Sequence, residues 1–511
     1  MGVSTIFSVS GNQVLPVFDA AGDHGLRLIH MRHESAAAFA AAGMSELTDK
    51  PGVILTSAGP GFLAALTGVA AVRAMELPLV FMSGDSPIQN APFGNFQVLN
   101  QQATCRDVCK ASLYASSVDS VAAVLVEAFL RSQEGVPGPV HVGLPADVLV
   151  EISGPRTGAS GVQSRAWPDV RQLQAVVEHL DRATRPMVIA RPSAARGRAL
   201  ELLNQLCHNL GVQPIITGPP RGLADSKYSH LTAHYKRSDC ALVIGPSDYS
   251  LGFLDGSILV ETGKILLVDA EGDPQPRRRV TEHMQVDVVP ALEYLEKHTQ
   301  GFEIRDWEWS HLWRASLERE PRPDPAPGPV HPLEVAWQVR DILKPEDVLC
   351  VDGGEFCQWI RLGLRDVPNR WLWNSKFGII GNSIPMALGV SAQGHPGRTI
   401  AIMGDGGSGY HLLEFETAVR YGIPFVAIIG NDARWGAEWH IQARKYGESR
   451  TFETNLMPAR YDQAAAGLGA LGFYAPDTAT FHRALQEALA SGKPCCINVD
   501  IQSLRSAAIA P

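Results

Sequence analysis

The chain has 511 residues, room for about three or four domains at roughly 100–200 residues each. Hydrophobic residues make up 45% and charged residues 19%, an ordinary globular composition that excludes wholesale disorder. Its 44 Lys+Arg against 53 Asp+Glu give a net charge of -9, which excludes an electrostatic nucleic-acid binder and average attraction to anionic membranes. Residues 1–20 hold neither a basic stretch nor a small-residue cleavage site after a long apolar run, so no signal peptide is expected. No apolar run is long enough for a spanning helix. The 8 cysteines, among them Cys105/Cys109, Cys350/Cys357 and Cys495-Cys496, form no paired metal knuckles. The expectation is free, buried thiols in a cytoplasmic protein.

In chain order, Val53–Thr56 reads as a strand, Gly61–Met75 as a helix and Leu77–Met82 as the next strand. A linker rich in Gly, Ser and Pro follows at residues 151–167. The middle third offers strands at Pro186–Ala190, Gln213–Thr217, Ala241–Gly245 and Ile265–Asp269, with a helix over Arg198–Leu210. Residues 320–332 carry six prolines and can continue neither a helix nor a central strand. The last third has strands at Asp347–Asp352, Thr399–Gly404, Phe425–Gly430 and Cys496–Ile501. The alternation predicts an α/β protein of three consecutive domains, about 1–155, 165–322 and 330–511. Each would be a parallel sheet flanked by helices. No short tandem repeat is visible.

The strongest local signal runs from Thr399 to Gly436. A buried strand ends in Gly404-Asp405-Gly406-Gly407-Ser408-Gly409, a helix follows over about Leu412–Tyr421, and a second strand ends in Asn431-Asp432. Asp405 and Asp432 thus fall at carboxyl ends of strands, where open α/β sheets bind ligands. The glycines let backbone N–H groups approach a phosphate, and two oxygen donors beside a diphosphate suit Mg²⁺.

Here the chain resembles the thiamine diphosphate (ThDP) enzymes, in which GDG is followed by an Asn doublet. Over nearly its whole length it is similar to the acetolactate synthase, 2-oxo acid decarboxylase and 2-hydroxyacyl-CoA lyase superfamily. The resemblance implies a pyrimidine-binding domain (1–155), a central domain (165–322) and a diphosphate-binding domain (330–511). It implies that Asp405, Asp432 and the Arg434 carbonyl hold Mg²⁺, although the second Asn of the doublet is Asp432 here. Gly406, Gly407 and Ser408, with Gly354 and Glu355 at the end of another strand, would face the diphosphate.

Met31–Gly43, MRHESAAAFAAAG, matches the family's RHE segment. Glu34 opens a small-residue helix, and apolar surroundings are expected to keep its carboxyl protonated. The resemblance gives it the hydrogen bond to N1′ of the aminopyrimidine that starts the cofactor's own chemistry. Asn374–Gly389 resembles the segment that bends the cofactor, with Ile380 as the wedge and the Gly378 carbonyl as acceptor for the 4′-amino group.

Ser10-Gly11-Asn12 and Ser57–Gly61 match the first two loops of the substrate cleft, with Ser10 and Ala64 departing from the family's Pro and Asn. Phe96-Gln97 and Lys110 match residues of acetolactate synthases and would add polar groups to the cleft. Glu438 falls where pyruvate-decarboxylase-like enzymes carry an acid able to move a proton at the reacting carbon. Arg191, Arg196 and Arg221 are candidates for a nucleotide such as the ADP part of CoA. The chain stops soon after its last strand, which predicts a site not closed by a long tail.

The resemblance therefore implies a ThDP- and Mg²⁺-dependent C–C bond lyase or ligase that decarboxylates a 2-oxo acid and protonates or carboligates the resulting enamine. It implies a dimer or tetramer with Glu34 facing another subunit's diphosphate domain. A 2-hydroxyacyl-CoA lyase and a catalytically weak ThDP-binding structural or sensing protein are the alternatives. A nicotinamide dehydrogenase has no convincing G-x-G-x-x-G with a later acid to support it.

Overall fold

The computed structural model describes residues 1–89, 96–152, 169–218, 221–231, 235–245, 263–270, 281–315 and 320–506. Most of the linker expected at 151–167 lies outside them. The short apolar runs form three all-parallel sheets. Strands such as β3 (Gly52–Thr56) and β4 (Leu79–Asp85) are buried at every residue. Such strands are apolar throughout because helices cover both faces of a parallel sheet.

The first sheet contains β1 (Thr5–Ser8), β2 (Arg27–His30), β3, β4, β5 (Ala111–Tyr114) and β6 (Pro139–Pro145). Its order is β2-β1-β3-β4-β6-β5. The central sheet runs β11 (Glu282–Gln285), β10 (Lys264–Asp269), β9 (Cys240–Ile244), β7 (Pro186–Ala190), β8 (Pro214–Ile216). The third contains β12 (Val348–Val351), β13 (Arg370–Trp373), β14 (Thr399–Gly404), β15 (Val426–Asn431), β16 (Leu471–Ala475) and β17 (Cys495–Asp500). Its order, β13-β12-β14-β15-β17-β16, repeats that of the first sheet strand for strand.

The two matching sheets are joined by matching helices. Glu34–Thr48 connects β2 to β3, and Ser383–Ser391 connects β13 to β14. The first starts where the His33 Nδ1 accepts the Ser35 N–H at 3.1 Å, and it stops at Asp49, whose φ of 54° leaves the helical region. Its alanines are fully buried, and one apolar core runs from Phe7 through Ala40 into Ala387 and Phe415. The backbones nearly touch. A Cβ on Gly389 would stand 1.9 Å from the Ala40 carbonyl oxygen, and one on Gly43 2.3 Å from that of Met386. Gly389→Val is expected to lower stability by about 1–3 kcal/mol or more, because backbone cannot yield as a side chain does. Thermal unfolding checks it; an unchanged midpoint would show that the two helices can part freely.

The central domain has its own core, and two of its three candidate nucleotide arginines, Arg191 and Arg196, tie it to the first domain. Buried Arg191 donates from Nη2 and Nε to Glu76 Oε1 at 2.8 and 3.1 Å. Arg196 donates to Glu46 Oε2 at 2.6 Å and to the Glu76 carbonyl at 2.8 Å. Burial raises the Glu76 carboxyl, but Arg191 and two donors from Ser193 outweigh it and hold it below its ordinary value.

The helix placed at 412–421 begins only at Glu414, and a single turn, Asp405–Ser408, follows β14 instead. After β17 the chain runs along the edge of the third domain, with Ser503 on Asp432, the Leu504 carbonyl on Trp359 and the Ser506 N–H on Glu355.

Candidate active site

Strands β12, β14 and β15 lie side by side, and the strand order reverses between β12 and β14. A crevice forms at such a reversal, beyond the carboxyl ends of the strands. Asp352 follows β12 and is wholly buried. It accepts the N–H of Gly353 at 2.6 Å and of Gly381 at 2.9 Å, and the Ser383 hydroxyl at 3.1 Å. Burial raises its carboxyl while these donors oppose the rise. The effect is to pin the loop that carries Gly378 and Ile380 across the crevice. Ile380 sits beside Gly353, where a Cβ would meet its Cγ2 at 2.8 Å.

The rim is bare backbone. Gly354 and Gly378 have φ of +89° and +75°, and a Cβ on either would meet nothing within 4 Å. At Gly406 a Cβ would stand 2.8 Å from the Trp435 ring, and at Gly407 3.7 Å from the Asp352 carboxyl. Side chains are excluded where a phosphate must approach the chain, so the cradle fits a diphosphate. Ser408 does not face the crevice with its hydroxyl, which donates to the Asp405 carbonyl at 2.7 Å.

Asp405 and Asp432 come together as the spacing implied. Asp405 accepts the Gly406 N–H at 3.0 Å and the Arg434 N–H at 3.2 Å. Burial, and then the charge of Asp432, push its carboxyl up to about 7. Burial likewise raises Asp432, which accepts the Ser503 hydroxyl at 2.8 Å. A buried acid beside a half-buried one favours a cation between them. Among the described residues no group of three or more His, Cys, Asp or Glu could hold a metal. A hard cation seated at this pair would have to take its remaining oxygens from backbone, phosphate or water.

The other half of the predicted site lies in the first domain. Glu34 is half-buried at the start of its helix, and a Cβ on Gly61 would stand 3.2 Å from its Oε1. Gln97, at φ 60°, accepts from Gln13 Nε2 at 2.9 Å, and the Ser57 hydroxyl donates to Gln13 Oε1 at 2.8 Å. Gln13 was not singled out from the sequence, although it follows the Ser10-Gly11-Asn12 turn directly. Lys110 is not in this cleft: its ammonium donates to the carbonyls of Glu134 and Val136. From the start of the Glu34 helix, bonds to the third domain run through Ser35 to His411 at 2.9 Å, and from His411 to the Gly381 carbonyl at 2.6 Å.

Glu438 is exposed in the first turn of Gly436–Tyr446, a helix with no buried residue. His440 packs on Trp439, and Arg434 lies 4.3 Å over the Trp439 ring. Glu355 is buried and turned to the Ser506 N–H, so its carboxyl serves the tail while its helix start borders the crevice. Burial lowers Arg221 from its ordinary value, against the opposing charges of Asp225, Glu355 and Glu438.

Residues 1–104 match the family model described as thiamine pyrophosphate enzyme, N-terminal TPP binding domain, and residues 352–499 match its C-terminal counterpart. On these matches the chain belongs to the ThDP-dependent enzyme superfamily. It is 29% identical to the acetolactate synthase large subunit IlvG of Mycobacterium tuberculosis, over 98% of this chain and 93% of that one. It is 28% identical to human 2-hydroxyacyl-CoA lyase 2, over 92% of this chain and 82% of the relative. To the acetolactate synthase large subunit of Parasynechococcus marenigrum it is 26% identical, over 98% and 85%.

Proposed function

We propose that this protein is a ThDP- and Mg²⁺-dependent enzyme that decarboxylates a 2-oxo acid and protonates the product or joins it to a second carbonyl. The observation that carries the reading is the acid pair Asp405 and Asp432 beside the glycine rim at the β12/β14 reversal. Asp405, Asp432 and the Arg434 carbonyl would hold Mg²⁺; Gly354, Gly406 and Gly407 would offer backbone to the diphosphate. When bound, ThDP supplies the carbon nucleophile and electron sink that C–C cleavage next to a carbonyl requires. Glu34 would hold a proton at N1′ of the aminopyrimidine, the Gly378 carbonyl would accept from the 4′-amino group, and Ile380 would supply an apolar surface under the rings. Gln97, tied to Gln13, orients the substrate's oxygens. Glu438 moves a proton at the reacting carbon.

Assembly belongs to the same proposal. Glu34 faces its own Gly61 loop, and large apolar side chains stand exposed on both halves of the site, including Phe96 at 76%, Phe377 at 54% and Met457 at 82%. Such a rim suits burial against a second copy, with each site built from two chains in a dimer or tetramer. Free, buried cysteines suit a reducing cytoplasm.

Release of CO₂ from a panel of 2-oxo acids, with ThDP and Mg²⁺, tests the reading. The likeness to 2-hydroxyacyl-CoA lyase 2 favours a second one, in which formyl-CoA condenses with an aldehyde and no 2-oxo acid is consumed. Glu438→Gln is expected to lower turnover about 10²-fold with little change in ThDP affinity. Unchanged kcat would return Glu438 to the solvated surface.

A further inference from the structure

Away from this crevice, a cavity of about 840 Å³ lies where the three domains meet. It is bounded by the Gly197–Asn209 helix and β8 of the central domain, by β13 of the third domain and by Glu46 and Leu77 of the first. Its volume is in the range of about 300–1,000 Å³ that small-molecule sites occupy.

One wall is aromatic. Trp371 and Trp373 alternate on β13, so both indoles project to the same face and stack at 4.8 Å. Gly218 makes room for this shelf: a Cβ there would meet the Trp373 ring at 2.7 Å. The Lys227 ammonium lies over both rings, 4.6 and 5.1 Å from their centroids.

The charges on the wall are unequally spent. Arg196 is committed to Glu46 and to the carbonyls of Met75 and Glu76. Arg370 donates to the carbonyls of Glu46 and Leu47, and Arg365 pairs with Glu320 at 3.2 Å. Glu46, the carboxylate of the lining, is itself taken by Arg196. Lys227 uses its backbone N–H on Asp225 at 3.1 Å, but among the described residues its ammonium has no carboxylate or carbonyl acceptor, only the two rings. Burial pulls the ammonium down to about 8, and Asp225 compensates only in part. A cation held over π faces inside a cavity, with its donors uncommitted, is a seat for an anion. Met75, Leu200, Val212 and Leu231 on the remaining wall call for an apolar body behind the charge.

We infer that this cavity binds a small organic anion, one carboxylate or phosphoryl group on an apolar or aromatic body, with its charged end on Lys227. The site reaches the cofactor loop. Ser375 lines the cavity and its carbonyl accepts the Gly378 N–H at 3.1 Å, while Asn374 Nδ2 donates to the Ile379 carbonyl at 3.1 Å. An occupant therefore presses on the strand that feeds Gly378 and Ile380, which makes it an effector of the crevice rather than a substrate in it.

The test titrates the full chain, saturated with ThDP and Mg²⁺, with 8-anilinonaphthalene-1-sulfonate, which has an aromatic body and one anionic group. The expected result is saturable binding of one probe per chain, weakened about tenfold or more by Lys227→Met and restored by Lys227→Arg, as for loss of ~1.4 kcal/mol of charge pairing. Benzoate and phenyl phosphate as competitors decide between carboxylate and phosphoryl recognition, and displacement by either supports the site. Should Lys227→Met not fold, Ala195→Phe narrows the cavity with the lysine intact and must also weaken the probe. Probe affinity equal in these variants, displacement by neither competitor, or binding seen only without ThDP would overturn the inference. Because the readout is binding and not turnover, it stands or fails separately from the reaction proposed above.

Discussion

Glu34→Gln is expected to lower turnover about 10²- to 10⁴-fold while ThDP still binds. The side chain keeps its size and can donate a hydrogen bond, but it cannot carry an exchangeable carboxyl proton at N1′. Glu34 sits in the first turn of a helix whose next eleven residues are buried, so the backbone that presents it is rigid and the substitution should not move it. Exchange of the cofactor's C2 proton, followed by NMR on the bound enzyme, isolates this step from substrate binding. Full exchange rates in the variant would remove Glu34 from the activation mechanism and leave only a capping role beside His33. Gly61→Ala is a useful companion, since its new methyl would press on Oε1 at 3.2 Å and should perturb activity without removing the acid.

Asp405→Ala is expected to abolish the magnesium-dependent part of cofactor retention. The wild type should gain about 2.7 kcal/mol of stability at ligand concentrations 100-fold over Kd, and the variant should gain almost none. Without ligands the variant should melt no lower than the wild type, because burial and the neighbouring Asp432 both oppose the Asp405 charge. These opposite signs separate a metal site from a merely structural acid. A variant that keeps its magnesium-dependent rise in melting temperature would show that Asp405 is not a ligand. Asp432→Asn, which restores the family's usual residue, should retain the rise.

Much of the third domain was legible because its signals are local. The strand Thr399–Gly404 was placed to the residue, since a buried apolar run bounded by glycine has little freedom. Asp405 and Asp432 could be paired because each ends such a strand. Where the sequence misled, the deciding contact was distant in the chain. Lys110 looked like a cleft residue, but carbonyls more than twenty residues away claim its ammonium. Arg191 and Arg196 were candidates for a nucleotide, but Glu76 and Glu46 of another domain pair with them.

By itself the sequence determined the α/β character, the strand ends that carry the acids, and the small-residue helix behind Glu34. All three follow from side-chain periodicity and glycine spacing within a few residues. Only the tertiary structure decided that the outer sheets share one strand order, that their second crossover helices meet backbone to backbone at Gly389 and Gly43, and that Ser503 reaches Asp432. It alone set Lys227 over two indoles in an interdomain cavity. These are contacts between surfaces far apart in the chain. Their partners are chosen by which apolar faces and charges remain uncovered once each sheet has formed, and no local pattern records that choice.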